Sequence, residues 1–302
     1  MRLIYAALGT LLAGAGLSLA VLMTNDVARW AVPGVVTVLV IVFSVGLARL
    51  VKGRLTVLLI AVIAAVGMVS TWLLALLPED TRFSGNYSFE MARPDLWMAP
   101  VAITLSLGLI ALFVTELIAG PQNGNRPPRL GLGIVSISIM AATGLWPLIA
   151  RMDVDRILRY AGYGAEVEAT QQVGGLNWLA FTALIGVMVA GVVSLFPIHR
   201  FLASALGIVA GIATTTALQL PHPLVLSVPT VIASGIGALM VVLVHHMVYV
   251  LGRRTTAGLQ SLGAAPIEIR DAPVSAIAVG MVPVRGLGIL LYFTVWVVPA
   301  LI

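Results

Sequence analysis

Few side chains in this sequence can do chemistry, and most of those lie toward the ends of long apolar runs. Glu116 is the one acid set well inside such a run. A carboxylate in hydrocarbon is costly and marks an ion or proton pathway by default. Close to a helix end it can instead snorkel to the interface and pair with an arginine. The histidines are His199, His222, His245 and His246. His199, His245, His246 and Glu116 all fall toward the same side, so together they could form a proton-exchange or divalent-cation site, imidazole and carboxylate being ordinary ligands. His245-His246 beside Arg253-Arg254 equally suits a plain interfacial face. His222 cannot join them along a straight helix, because His245 is roughly 35 Å further on at 1.5 Å per residue.

A second set of candidates concerns the backbone. The run 224–251 holds Pro229, Ser234, Gly235 and Gly237. As a helix it would reach roughly 42 Å, more than the hydrocarbon layer needs. Proline removes a backbone donor, so a break is predicted between Pro229 and Gly237, and a broken helix frees backbone groups to bind solute. A tilted packing helix is the structural alternative. The run before it carries Gly207 and Gly211, then Thr214, Thr215 and Thr216. The GxxxG spacing puts both glycines on one face, and the threonines either bond back to their own helix or line a polar path. Glu116, His245, His246, Pro229, Ser234 and Thr215 are therefore the candidate pathway residues. Thr104, Ser106, Ser136 and Ser138 add hydroxyls at mid-membrane depth.

Several chemistries lack their residues. The chain has no cysteine, which removes disulfides, thiolate metal sites and thiol catalysis. It has no Walker A loop, GxSxG or HExxH, no acidic pair suited to a magnesium-bound diphosphate, and no span with two histidines at haem spacing. No catalytic residue, metal ligand set or cofactor is assigned.

The elements that must position these residues are membrane helices. Hydrophobic residues make up 60% of the 302 and charged ones only 10%. Soluble domains carry about 25% charged residues, and a soluble fold of this size would expose large apolar patches. The net charge of +5 would suggest nucleic acid in a soluble protein. Here the basic residues sit in short gaps between apolar runs, so they report topology, and no nucleic-acid partner is expected. About 20 apolar residues cross a bilayer as a helix. The candidate spans are 3–23, 34–51, 55–77, 98–119, 130–150, 176–197, 201–219, 224–251 and 286–302. The prediction is an all-α, polytopic bundle of about eight or nine transmembrane helices forming a single membrane domain over 1–302. Met1-Arg2 and the run 3–23 read as a retained first helix rather than a cleaved signal. Asn25-Asp26 with Pro33-Gly34, Lys52-Gly53-Arg54 and Pro221-His222-Pro223 mark breaks, and 121–129 (PQNGNRPPR) reads as a turn cluster that is not helix.

With the N-terminus in the cytoplasm, the inside segments hold Arg2, Arg49, Lys52, Arg54, Arg126, Arg129, Arg200, Arg253, Arg254, Arg270 and Arg285 against only Glu268 and Asp271. The outside segments hold six arginines against nine acids. That asymmetry fits one orientation at nearly every gap. The outer loops 78–97 and 151–175 mix charges with aromatics and suit interfacial connectors, with a lid over a pathway as the functional alternative. The stretch 252–285, with Pro266, Pro273 and Pro283, could lie on the membrane, re-enter it, or join a tilted last helix.

These features point first to a small-solute transporter or permease-like subunit in a bacterial cytoplasmic (inner) membrane. One rival is a membrane enzyme acting on a lipid or polyprenyl substrate, using charges of the outer loops such as Asp153, Asp155, Arg156 and Arg159. The other is a non-catalytic subunit of a larger complex. The partners expected are the lipid bilayer and either other membrane subunits or further copies of the chain.

Overall fold

A computed structural model describes residues 2–23, 25–50, 57–76, 94–118, 126–150, 175–221, 224–253 and 273–297. These form eleven helices and no strand: α1 (Arg2–Val21), α2 (Asn25–Leu50), α3 (Val57–Leu76), α4 (Pro94–Ile118), α5 (Arg126–Thr143), α6 (Leu145–Ile149), α7 (Gly175–Val193), α8 (Arg200–Gln219), α9 (Leu224–Arg253), α10 (Pro273–Gly280) and α11 (Val282–Val297). Away from water a segment must satisfy its own backbone groups, which selects helices from apolar runs of this length. Eight stretches among the described residues are long and apolar enough to cross a bilayer, and Asn177–Val193 is a shorter apolar helix. The protein is a polytopic α-helical membrane bundle. Of the outer loops 78–97 and 151–175, on which the lid and interfacial-connector expectations fell, 78–93 and 151–174 lie outside the described residues, as do 254–272, while 94–97 open α4 and Gly175 opens α7.

Three of the differences from the sequence expectation turn on proline. Helix α2 passes through Pro33, which the sequence had suggested as a break. A proline inside a helix removes one hydrogen bond, and without competing water the rest of the ladder holds. Helix α5 begins at Arg126, so 126–129 is helical rather than turn. Pro127 and Pro128 occupy its first turn, where the missing amide protons would have had no intrahelical partner. The third difference is the last crossing, which begins at Pro273 rather than at 286 and runs to Val295 as two helices, α10 and α11.

The bundle is organised around α7, which packs on α1, α8 and α9. Its Ala180, Ala183, Leu184, Val187 and Ala190 are fully buried. Helices α3, α4 and α5 pack on one another, and α2 joins them through α3. Peripheral α4 turns Ile103, Leu107, Ile110, Val114 and Leu117 outward at alternating spacings of four and three, a lipid-facing stripe.

Short α10 is seated between α1 and α2. A Cβ on Gly9 would coincide with the carbonyl of Ile277, and one on Gly280 with the carbonyl of Ala6. Two backbones therefore meet without side chains between them, the role small residues play where lipid supplies no hydrophobic drive. Thr10 Oγ1 donates to the Gly280 carbonyl at 2.7 Å, and Ser275 Oγ donates to the Gly46 carbonyl at 3.3 Å. Since the obstructing atoms are backbone, overpacking here should exceed the usual ~1–3 kcal/mol. Gly280→Val should lower the thermal midpoint of the detergent-solubilised protein by several degrees or abolish folding. Gly34→Ala, where nothing lies within 4 Å of the added carbon, should leave that midpoint within about a degree, read by size-exclusion after heating.

Candidate functional site

The broken helix lies in the last crossing, not in the eighth predicted span. Helix α9 is unbroken from Leu224 to Arg253 with Pro229 inside it. Pro229 is its sixth residue, so the bond it forgoes would reach only into the first turn. The last crossing breaks at Met281, whose amide is shared between the carbonyls of Ile277 (3.1 Å) and Ala278 (3.2 Å). Pro283 follows and cannot donate to the Val279 carbonyl. The ladder resumes where Arg285 N donates to the Met281 carbonyl.

Two residues past that proline sits Arg285, which the sequence placed in an inside segment. It is 0% exposed, one residue beyond the midpoint of the crossing Pro273–Val295. Its Nε donates to Thr143 Oγ1 at 2.9 Å and its Nη2 to Met140 Sδ at 2.6 Å. The guanidinium lies over the Phe43 ring, 4.5 Å from its centroid. Thr143 can accept because its own proton goes to the Ile139 carbonyl at 2.6 Å. Beside it Trp146, also fully buried, donates Nε1 to the Val284 carbonyl at 3.1 Å. The Arg285 Nη1 has no hydrogen-bond partner among the described residues.

An arginine at the centre of a membrane helix costs about 2.5–3.5 kcal/mol on insertion scales. A hydrogen bond to a charged group returns about 1.5–3 kcal/mol and a desolvated cation–π contact about 2 kcal/mol. The two sets are of similar size, so Arg285 adds little net stability to the fold. Among the described residues Glu116 and Arg285 are the two buried side chains of Asp, Glu, Lys or Arg type, and no carboxylate pairs with Arg285.

A second polar island lies where α7, α8 and α9 meet, and it brings together two sequence candidates. Thr215 Oγ1 and Ser234 Oγ are 2.7 Å apart, both fully buried. Gln219, one turn beyond Thr215, donates Nε2 to Thr182 Oγ1 at 2.6 Å, and Thr182 donates to the Leu179 carbonyl at 3.0 Å. Gln219 Oε1 is buried with no hydrogen-bond partner among the described residues. Gly186 makes the cluster possible, because a Cβ there would strike both Thr215 Oγ1 and Ser234 Oγ. Pro229 is also buried on α9.

The remaining candidates are dispersed. Glu116 is 5% exposed on α4, which packs on α3 and α5, whereas α9 packs on α1, α7, α8, α10 and α11. Glu116 and His245 thus share no packed interface. His245 is buried with Nδ1 2.7 Å from Ser194 Oγ, and His246, one position round the helix, is exposed. His199 is exposed at the start of α8, and His222 lies outside the described residues. No group of three or more His, Asp or Glu that could hold a metal occurs among the described residues.

Sequence reasoning missed Arg285, Thr182, Gln219 and Ser194. A signal for Arg285 was present: 274–284 and 286–297 are apolar on both sides of one charge, and together they have crossing length. Pro283 argued for a loop and hid it. Nothing in the sequence marks Thr182 or Gln219, whose importance arises from helix contacts.

Fold and site together define a polytopic α-helical membrane protein with two buried polar islands, one containing an arginine at mid-membrane depth. Comparison with family models, curated proteins and solved structures finds no match to the chain.

The Thr215–Ser234 contact should be worth a measurable coupling. In a cycle of Thr215→Val, Ser234→Ala and the double variant, the coupling should be about 0.6 kcal/mol, the mean for interhelical bonds in membranes. Unfolding in mixed micelles measures it, and strict additivity would mean that the hydroxyls do not bond.

Proposed function

We propose that the protein is a small-solute carrier whose binding site lies at the break in its last crossing. The observation that carries this reading is the fully buried Arg285 at mid-membrane depth, with one guanidinium nitrogen lacking a partner and no carboxylate paired with it among the described residues. Ionisable residues inside a membrane mark solute and ion pathways, and carriers bind their solutes near the midplane at discontinuous helices. The hydroxyl–amide island at Thr182, Thr215, Gln219 and Ser234 supplies further polarity inside the bundle. A scaffold would have no need of either island, and the charged loops invoked for a lipid-modifying enzyme lie outside the described residues.

We place the N-terminus in the cytoplasm and the bundle in a bacterial inner membrane. Removing Arg285 from the inside segments leaves ten basic residues there against two acids, so the charge asymmetry persists.

The chain contains no cysteine, so a single introduced thiol reports without background. Thr143→Cys lies against Arg285 on α5, and Ser70→Cys lies on α3 where Ser70 bonds the Ala141 carbonyl of α5. In sealed vesicles an impermeant thiol reagent applied to one face at a time should label these positions from both faces, as alternating access requires. Labelling from one face only would replace the carrier with a receptor or enzyme. Labelling from neither would leave a solid bundle and end the transport reading.

A further inference from the structure

We infer that Arg285 is the recognition residue for a small monovalent anion bearing a carboxylate. This deepens the carrier reading by naming the class of solute, and it rests on that reading only for the solute's movement, not for its binding. Four observations lead there. The guanidinium is fully buried. It has three protein partners, of which only the Thr143 hydroxyl is a good acceptor, the others being a thioether and an aromatic face. Nη1 has no partner among the described residues. No carboxylate among those residues faces it from the packed elements.

The geometry of the contacts indicates which edge of the fork is available. Nε is committed to Thr143, which holds the inner edge and sets the plane of the group. Nη2 rests on Met140 Sδ, and thioether sulfur is a weak acceptor that a carboxylate oxygen would displace with gain. The terminal edge, formed by Nη1 and Nη2, is therefore the one left for a ligand. An end-on carboxylate takes one N–H from each nitrogen, the bidentate geometry in which arginine differs from lysine.

Charge and depth narrow the class. Arg285 is the sole buried arginine or lysine among the described residues, so one negative charge is compensated and a second would stay buried and unpaired. The ring beneath the group is apolar: Phe43 lies 4.5 Å from it, while Trp146 packs on the neighbouring backbone of α11 at Val284 and Gly288. A lipid phosphate is excluded by position, since Val295 at the end of the crossing is ten residues away, roughly 15 Å along a helix. What fits is a small acid with a single carboxylate and an apolar remainder.

The test uses the full chain purified in an uncharged detergent without phospholipid, at constant ionic strength. Acetate and propionate should raise the thermal midpoint saturably, by about 3 °C near ten times the dissociation constant. Succinate at a pH where both groups are ionised, sulfate and chloride should each give less than a third of that shift. Arg285→Gln should lose the response, and Arg285→Lys should keep only part of it because the bidentate edge is gone. If Arg285→Gln does not fold, Met140→Leu serves instead: it leaves the charge in place, removes the competing sulfur and should strengthen acetate binding several-fold. No saturable response to either monocarboxylate in the unaltered protein would overturn the assignment. So would an equal response to chloride or succinate, or acetate binding unchanged in Arg285→Gln and, where that variant does not fold, in Met140→Leu. Binding without two-sided thiol labelling would retain this site and discard transport. Labelling without binding would do the reverse.

Discussion

The last crossing reaches the middle of the bundle only because two backbones are allowed to touch. Gly9 on α1 and Gly280 on α10 each leave the space that the other chain segment's carbonyl occupies. With α10 seated on α1 and α2, the break at Met281 determines where α11 departs, and α11 delivers Arg285 to Phe43, Met140 and Thr143. Remove the close approach and the arginine has no route to the midplane. The contact that permits the site is thus made of glycine and main chain, some distance from the charged group it serves.

Hydroxyls fall into two kinds here, and the difference matters for function. Ser44, Thr71, Thr104, Thr115, Thr143, Thr214 and Thr294 donate to the carbonyl four residues back in their own helix. Such hydroxyls satisfy themselves and say little about a pathway. Others bridge helices: Thr10 to Gly280, Ser70 to Ala141, Thr215 to Ser234. Thr143 and Thr215 do both: the Thr143 proton goes to its own helix while its lone pair takes Arg285, and Thr215 also reaches the Gly211 carbonyl of its own helix. Ser106 and Ser138, also proposed at mid-depth, are exposed on the outside of the bundle.

Among the described residues, the buried acid Glu116 and the buried Arg285 occupy different surroundings. Glu116 sits on peripheral α4 near its end, whereas Arg285 sits at the centre of a crossing that other helices surround. An acid one turn from a helix end has the interface within reach of its side chain. An arginine at the midplane has no such exit and must be compensated where it stands. That contrast makes Arg285 the stronger candidate for the proposed site, although Glu116 is the one that a hydropathy reading picks out.

The sequence by itself determined the solvent and the material of this protein. Long runs of Leu, Val, Ile and Ala with few charges require a lipid environment, and lipid requires helices, because a backbone there has no water to bond. Counting those runs led to eight or nine crossings, and eight described stretches have crossing length. Thr215 and Ser234 stood out singly on consecutive spans, but their contact did not. Prolines were harder. Whether Pro33, Pro127, Pro229 or Pro283 breaks a helix depends on its distance from the helix start and on what the freed carbonyl meets, and neither is visible locally. Only the tertiary structure decided that the break falls at Met281, that 273–295 is one crossing, and that Arg285 belongs to the interior. The reason is that a charge between two apolar pieces reads as a loop until neighbouring helices supply the hydroxyl, sulfur and ring that hold it.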